Sequence, residues 1–419
     1  MTPRLWAVGT LVALVVAIVL VAVLRVPWWA PPAPRADQLA ALRSLPVDAV
    51  EKGRAFHSAL RPGIYGGLLL GLVLAAVLGF TPLGSRIVAF VGRPFGGHWL
   101  ASALLGGLAI VLITELVTLP VAVWQQRILR RYDLSTQDWS GWAVDLLKGY
   151  AVGAVISAVA LAGFFTVVRF APRWWWAFGA AGAATLAVLL TFVFPLLVEP
   201  VFNKFTPMPV SQLRNDLLEM AERDGVPARD VLVADASRRT RAVNAYVSGL
   251  GPTRRIVVYD TLLAEAELAE VKAVVAHELG HAKEGDVLTG TLLGALGAAA
   301  GVVALHLLGS WVALLRRAGV DSIAEPRAIA LMAALAAIAG LAFGPLQAHV
   351  SRQLETRADL HSLLLAGDPQ VFEAMQARLA TVNLGDPDPP RWEQILTASH
   401  PSTVERMAAA RAWSRTHHP

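Results

Sequence analysis

His277, Glu278 and His281 stand in the pentad His277-Glu278-Leu279-Gly280-His281, just ahead of a long apolar run. On a helix, residues four apart share a face, so the two imidazoles point at one spot and can hold one metal ion. Glu278 follows the first histidine, where its carboxylate can take a proton from a water activated at that ion. Two nitrogen ligands and a general base within about one turn make the HExxH arrangement, whose chemistry is metal-assisted peptide hydrolysis. The plainer alternative is a polar helix turn with two solvated histidines. There is no cysteine, so thiolate ligands and disulfides are excluded and any metal must be held by His, Asp or Glu.

Two histidines and a base need a third ligand. The best candidate is Glu355, in Glu355-Thr356-Arg357-Ala358-Asp359, where Glu355 and Asp359 share a helical face. His281 lies about one turn before the sixth apolar run and Glu355 about one turn after the seventh. Two bilayer crossings return the chain to the face it left, so the 74-residue gap brings both ligands to one membrane surface. One crossing, or three, would leave them ~30 Å apart. The site is therefore expected at the membrane interface or in a cavity opening there. The alternative for Glu355 is a surface carboxylate paired with Arg352, Arg357 or another base.

The elements that must position these residues are mostly membrane helices. The chain is 55% hydrophobic and only 16% charged, with a mean hydropathy of +0.54, which defines a polytopic membrane protein. Seven stretches are long and apolar enough to span: Leu5–Leu24, Ile64–Leu83, Leu100–Val123, Trp142–Val168, Trp174–Val198, Val287–Leu315 and Ala328–Val350. The first is longer than a signal-peptide core and reads as an uncleaved anchor. Trp28, Trp29 and Trp174 to Trp176 sit at span ends as interfacial anchors. Gly294, Gly297 and Gly301, with Ala333, Ala334, Ala336 and Ala337, let the last two spans approach closely. Glu115 is an intramembrane carboxylate, functional by default, though the wall of a water-contacting cavity also explains it.

The loop Arg25–Arg61 opens Pro-rich and continues as short helices. The polar segment Glu199–Asp286 predicts an amphipathic helix over Ser211–Asp224. Strands follow at Val231–Ala234, Ala242–Ser248 and Ile256–Tyr259, and a helix near Glu265–Lys283 carries the pentad. The tail Glu355–Pro419 reads as helical. No internal repeat supports a transporter design. The domains are then residues 1–198 (membrane helices one to five, with the loop 25–61), 199–286 (first peptidase part), 287–350 (membrane helices six and seven) and 351–419 (peptidase part with the third ligand).

The net charge of +5 is scattered between apolar runs, so it reads as membrane-flanking charge, with no nucleic-acid partner. Only five of the 36 basic residues are Lys, a usage that points to a GC-rich, bacterial source. The two short loops on the polar-domain side hold ten Arg and Lys against eight on the other side, which leans toward a cytoplasmic polar domain in a bacterial cell membrane.

Beyond the pentad and Glu355-Thr356-Arg357-Ala358-Asp359, three segments carry a resemblance. They are Glu199-Pro200-Val201-Phe202-Asn203-Lys204-Phe205-Thr206-Pro207, the pair Asn244-Ala245-Tyr246-Val247-Ser248-Gly249 and Arg255-Ile256-Val257-Val258-Tyr259-Asp260-Thr261-Leu262-Leu263, and Ser399-His400-Pro401 with Glu405-Arg406. In this order, around seven spans, they resemble the membrane-integral zinc metallopeptidases of the type I CAAX prenyl protease (Ste-type endopeptidase) family, over nearly the whole chain. The resemblance implies a predominantly α, polytopic fold of seven transmembrane helices with a gluzincin-like HExxH peptidase domain carrying a small β-sheet. It implies one Zn2+ per chain, held by His277, His281 and Glu355, with Glu278 as general base. Asp359 would orient a ligand histidine, His400 would stabilise the oxyanion or the bound peptide, and Asn244 would lie on an edge strand beside the substrate. The plainer readings are a strand-end residue for Asn244 and a helix-start residue for His400. The family also implies a large water-filled chamber.

The chain departs from the family at three places. Ala282 and Asp286 stand where eukaryotic members usually have an aromatic residue and a further histidine, and Arg238, Arg239 and Arg241 precede Asn244 where Ser and His are common. The expected function is a zinc-dependent, membrane-embedded endopeptidase acting on flexible or C-terminal-tail peptide or protein substrates within the lipid bilayer. The alternatives are a quality-control metalloprotease for misfolded membrane proteins, or a non-catalytic transporter or scaffold.

Overall fold

The computed structural model describes residues 3–29, 33–249 and 251–417, without the side chains of Pro3 and Pro252; Ala30, Pro31 and Pro32 of the Pro-rich stretch lie outside the described residues. Among the described residues, seven helices are long and apolar enough to cross a membrane. They are built on α1 (Pro3–Arg25), α3 (Val47–Phe80), α5 (Trp99–Arg131), α6 (Trp139–Phe170), α7 (Trp175–Val193), α12 (Asp286–Leu308) and α14 (Ile329–Ala366), with short α2 (Arg35–Ser44), α4 (Pro82–Gly92) and α8 (Glu199–Phe202) between them. α7 runs through a π-helical turn at Phe194–Val198 into α8; Pro195 in that turn has no N–H for the regular ladder.

The membrane helices pack in the order α14, α3, α5, α6, α7, α12, with a weak return from α12 to α14, and α1 lies against α12. Small residues make the seams. A β-carbon at Gly79 would lie 2.3 Å from Ala334 Cβ, and one at Gly106 would lie 2.6 Å from a Val88 methyl. Outward positions such as Val15, Leu69, Phe178 and Phe343 are exposed apolar side chains, as a lipid-facing surface requires. Glu115 on α5 faces Tyr150 on α6, so the intramembrane carboxylate has a polar neighbour.

The polar part is a four-stranded sheet clasped by helices. β1 (Phe205–Pro207), β2 (Asp230–Ala234), β3 (Ala245–Ser248) and β4 (Arg255–Tyr259) lie in the order β1-β2-β4-β3, with β2 and β4 parallel and both edge strands antiparallel to their neighbours. α9 (Gln212–Arg223) starts where the Ser211 side chain accepts the Arg214 N–H. After α10 (Asp260–Glu265), α11 (Leu268–Glu284) buries Val271, Val275 and Leu279 in one core with Leu217, Val231, Ile256 and Val258. α15 (Pro369–Val382) closes that core with Phe372 and Met375. Short α16 (Arg391–Leu396) leads to α17 (Thr403–His417), which packs against α2 through Val404, Met407, Ala41 and Leu45.

Four elements differ from the sequence expectation. The predicted strand over 242–248 begins only at Ala245, because the side chain of Asn383 takes the backbone of Val243 in place of a strand. β1 is too short to show an alternating pattern. The sixth span ends at Leu308, not Leu315: the chain turns at Gly309 and α13 (Val312–Ala318) folds back against α4. α4 itself follows a stop at Thr81, whose hydroxyl accepts the Leu83 N–H, with Pro82 in the first turn.

Candidate metal centre

α11 is fixed at both ends. A capping box starts it, with Glu267 N–H donating to Glu270 Oε2 at 2.9 Å. It stops at Gly285, which sits at φ +68° and donates its N–H to the His281 carbonyl. α14 crosses it, and the buried Ser362 hydroxyl donates to the Ala273 carbonyl at 2.8 Å. The crossing brings the third carboxylate to the pentad. Glu355 Oε2 lies 3.3 Å from His277 Nε2, Glu355 Oε1 lies 3.4 Å from His281 Nε2, and the two Nε2 atoms are 3.1 Å apart. One ligand atom from each residue fits within 4.8 Å of the others. Arg352 and Arg357 do not take Glu355: Arg352 donates to the Ala398 carbonyl and Arg357 pairs with Asp286.

This set fits a metal ion on its own geometry. Glu355 Oε2 is buried without a hydrogen-bond partner, and the two imidazole nitrogens facing it converge on the same point. A mixed set of two nitrogens and one carboxylate oxygen suits a divalent cation that takes a further ligand from outside the chain. The surroundings are also built for positive charge. Burial disfavours the charged form of His281, yet the Asp286 and Glu355 carboxylates prevail and push its pKa up to about 10. Burial raises the Glu278 carboxyl above its ordinary range, with His277 and His281 pulling the other way. Glu278 is half-buried beside the cluster.

Each imidazole leans on a carboxylate. His277 Nδ1 lies 3.0 Å from Asp359 Oδ1, and Asp359 is clasped by Arg406, whose Nε donates to Oδ2 at 2.8 Å. His281 Nδ1 lies 2.8 Å from Asp286 Oδ2. His400 stands on the other side of the third ligand, exposed, with its Nε2 3.3 Å from Glu355 Oε1. Asn244 is exposed at the start of edge strand β3, which packs on α11. Its side-chain oxygen accepts the Ala245 N–H at 2.9 Å and its carbonyl accepts the Tyr259 N–H at 3.0 Å. By the alternation of an antiparallel pair, residues 244, 246 and 248 bond to β4 while Ala245 and Val247 turn their backbone groups to the open edge.

The structure thus brings His277, Glu278, His281, Glu355, Asp359 and His400 together, and sets Asn244 immediately before the edge strand beside their helix. Sequence reasoning missed Asp286, Arg406 and Asn383. Asp286 had a usable signal, five residues past His281 at the first turn of the next helix. Arg406 stood in the resemblance-bearing segment with Glu405 but without a role, and Asn383 had no signal within reach of a local pattern.

Membrane helices in a ring, a helix pair bearing His277, His281 and Glu355 at their polar end and the Glu278 carboxylate beside that cluster are the features of a membrane-integral metalloendopeptidase. The model of peptidase family M48 matches residues 207–414 and that of the CAAX prenyl protease N-terminal region, five membrane helices, matches 65–204; the chain belongs to this family. It is 29% identical over 301 residues to an uncharacterized metalloprotease, YhfN, of Bacillus subtilis, covering 71% of each chain. It is 30% identical over 172 residues to CAAX prenyl protease 1 of Saccharomyces cerevisiae, covering 40% of this chain and 38% of that one. The crystal structure of S. mikatae Ste24p shares the fold, with a TM-score of 0.76 at 20% identity over 98% of this chain and 99% of the other.

Proposed function

We propose that the chain is a zinc-dependent endopeptidase that cuts flexible or C-terminal-tail segments of peptide or protein substrates at the membrane surface. The observation that carries this is the convergence of His277, His281 and Glu355 within 4.8 Å, with Glu278 on the same helix. Zinc held by those three would supply Lewis-acid polarisation of the scissile carbonyl and an acidified water. Glu278 takes the proton of the attacking water and passes it to the leaving amine; burial, which raises its pKa, makes it a better proton acceptor than an exposed carboxylate. His400, exposed over Glu355, offers a donor to the developing oxyanion. An extended peptide adds to the open edge of β3, where Val247 presents both backbone groups, with Asn244 at its start. Asp359 holds the His277 ring in place.

The ring of helices favours access by unfolded, extended chains over recognition of a folded surface. A relative in Bacillus subtilis and the excess of basic residues in the loops beside the polar part support a bacterial membrane with the peptidase part cytoplasmic. The cysteine-free chain allows this to be tested by single-cysteine labelling. In intact cells an impermeant maleimide should label Arg316→Cys and spare Glu222→Cys, and the reverse pattern would invert the topology.

The activity is tested by cleavage of an unstructured reporter peptide with detergent-solubilised protein, wild type beside Glu278→Ala. Wild-type cleavage with a loss of at least ~10²-fold in the variant is expected, with metal content unchanged. Equal rates in both would remove Glu278 from the reaction.

A further inference from the structure

The second imidazole has a support of its own, and it leads out of the peptidase part into the first membrane helix. Asp286 is buried, begins α12, and faces two ways: Oδ2 lies 2.8 Å from His281 Nδ1, and Oδ1 is taken by the guanidinium of Arg357. Arg357 Nη1 also lies 3.4 Å from Glu284 Oε2 and donates to the backbone carbonyl of Arg25 at 3.2 Å. Arg25 is the last residue of α1. Its Nη2 donates to the Glu284 and Gly285 carbonyls at 3.3 and 3.5 Å, and its Nε donates to the buried Thr289 hydroxyl at 3.2 Å. The Glu284 carbonyl lies at the end of α11, where the helix carries its negative pole, so a guanidinium is favourable there; the Gly285 carbonyl also accepts the Thr289 N–H at 3.0 Å as the first bond of α12. Gly285 leaves room for it: a β-carbon would stand 3.0 Å from Arg25 Nη2.

We propose that Asp286 and Arg357 position His281 for metal binding and that Arg25 anchors this arm, making the end of α1 part of the metal centre's support. The proposal rests on the reading of His277, His281 and Glu355 as metal ligands. Arg25 lies upstream of both family matches, which begin at residues 65 and 207, whereas Asp286 and Arg357 lie within the second. The arm parallels the one through Asp359 and Arg406 on His277. A carboxylate on the far nitrogen fixes tautomer and ring orientation, and an arginine on that carboxylate fixes the carboxylate. Asp286 also has a plainer use, as a negative charge in the first turn of α12. That use would change stability and leave the metal alone.

The two are separated with cobalt as a spectroscopic stand-in, added to metal-free full-length protein in detergent. Affinity is read by chelator competition and ligand geometry by the visible absorption of bound Co2+, beside thermal unfolding of the metal-free form. Asp286→Ala should weaken binding by ~10- to 100-fold and alter the cobalt spectrum. Asp286→Asn keeps an acceptor for the imidazole and should lose less. Arg25→Gln should weaken binding severalfold with a smaller spectral change, and Asp321→Ala, at the far end of the helices, should change nothing. Wild-type affinity and spectrum in Asp286→Ala and Asp286→Asn, with only the unfolding temperature lowered, would overturn the proposal. Wild-type protein that binds no cobalt would overturn the metal reading beneath it.

Discussion

Gly280 and His361 meet so closely that a β-carbon on the glycine would lie 2.9 Å from His361 Cβ. The contact falls between the helix that carries both imidazoles and the one that carries the third carboxylate, so their separation is set where no side chain can intervene. Gly280→Ala should push α14 off α11 at a cost of ~1–3 kcal/mol and weaken metal binding with it. Thermal unfolding with and without added metal measures both. An alanine variant with unchanged melting and metal affinity would mean that the crossing has slack.

Removing the metal should stop cleavage and leave the fold standing. The sheet core around Leu217, Ile256 and Phe372 is fully buried without any part of the cluster, and the membrane seams are elsewhere. A chelator should therefore abolish activity with little change in helical circular dichroism, and one equivalent of zinc should restore it. Unfolding on chelation would assign the ion a structural role.

Asp359 and Arg406 form a nearly buried pair, and breaking it from one side strands the other charge. Asp359→Ala should cost ~3–5 kcal/mol. Replacing both, Asp359→Ala with Arg406→Met, should recover part of that stability and none of the metal affinity, since His277 still lacks its acceptor. A double variant that regains full metal binding would show that Asp359 serves only to neutralise the arginine.

Asn383 holds Val243 as a strand would, its Oδ1 accepting the Val243 N–H at 2.8 Å and its Nδ2 donating to the Val243 carbonyl at 3.1 Å. Asn383→Ala leaves both backbone groups without protein partners, at ~1–3 kcal/mol. With the peptide docked on the open edge beyond Val243, KM should rise more than kcat falls. A pure fall in kcat would detach the edge from substrate binding.

The parts of this molecule that repeat along the chain were legible in the sequence, and the parts that depend on crossing were not. The pentad and the seven spans are patterns of a few residues or of sustained apolarity, which local physics dictates. Glu355 was reachable because counting membrane crossings is itself a long-range argument. Arg406 and Asn383 come from segments more than a hundred residues from His277 and Val243, and no periodicity brings them there. The sixth span was drawn too long because the apolar run continues through Gly309–Trp311, where the backbone turns while hydropathy does not change. The strand at 242–248 was drawn too long for a related reason: a side-chain amide can replace a strand's backbone and leaves no mark in local composition.

α14 is one helix of 38 residues that runs through Pro345, with lipid-facing Phe343 before that proline and Glu355 after it. At ~1.5 Å per residue it is about 57 Å long, against a hydrocarbon layer of ~30 Å. It is a lever whose fulcrum is the bilayer. A thinner membrane tilts such a helix, and a tilt at one end is a displacement of the carboxylate at the other. The position of Glu355 should therefore follow the thickness of the bilayer, and turnover in short-chain against long-chain vesicles would register it with no change to the protein.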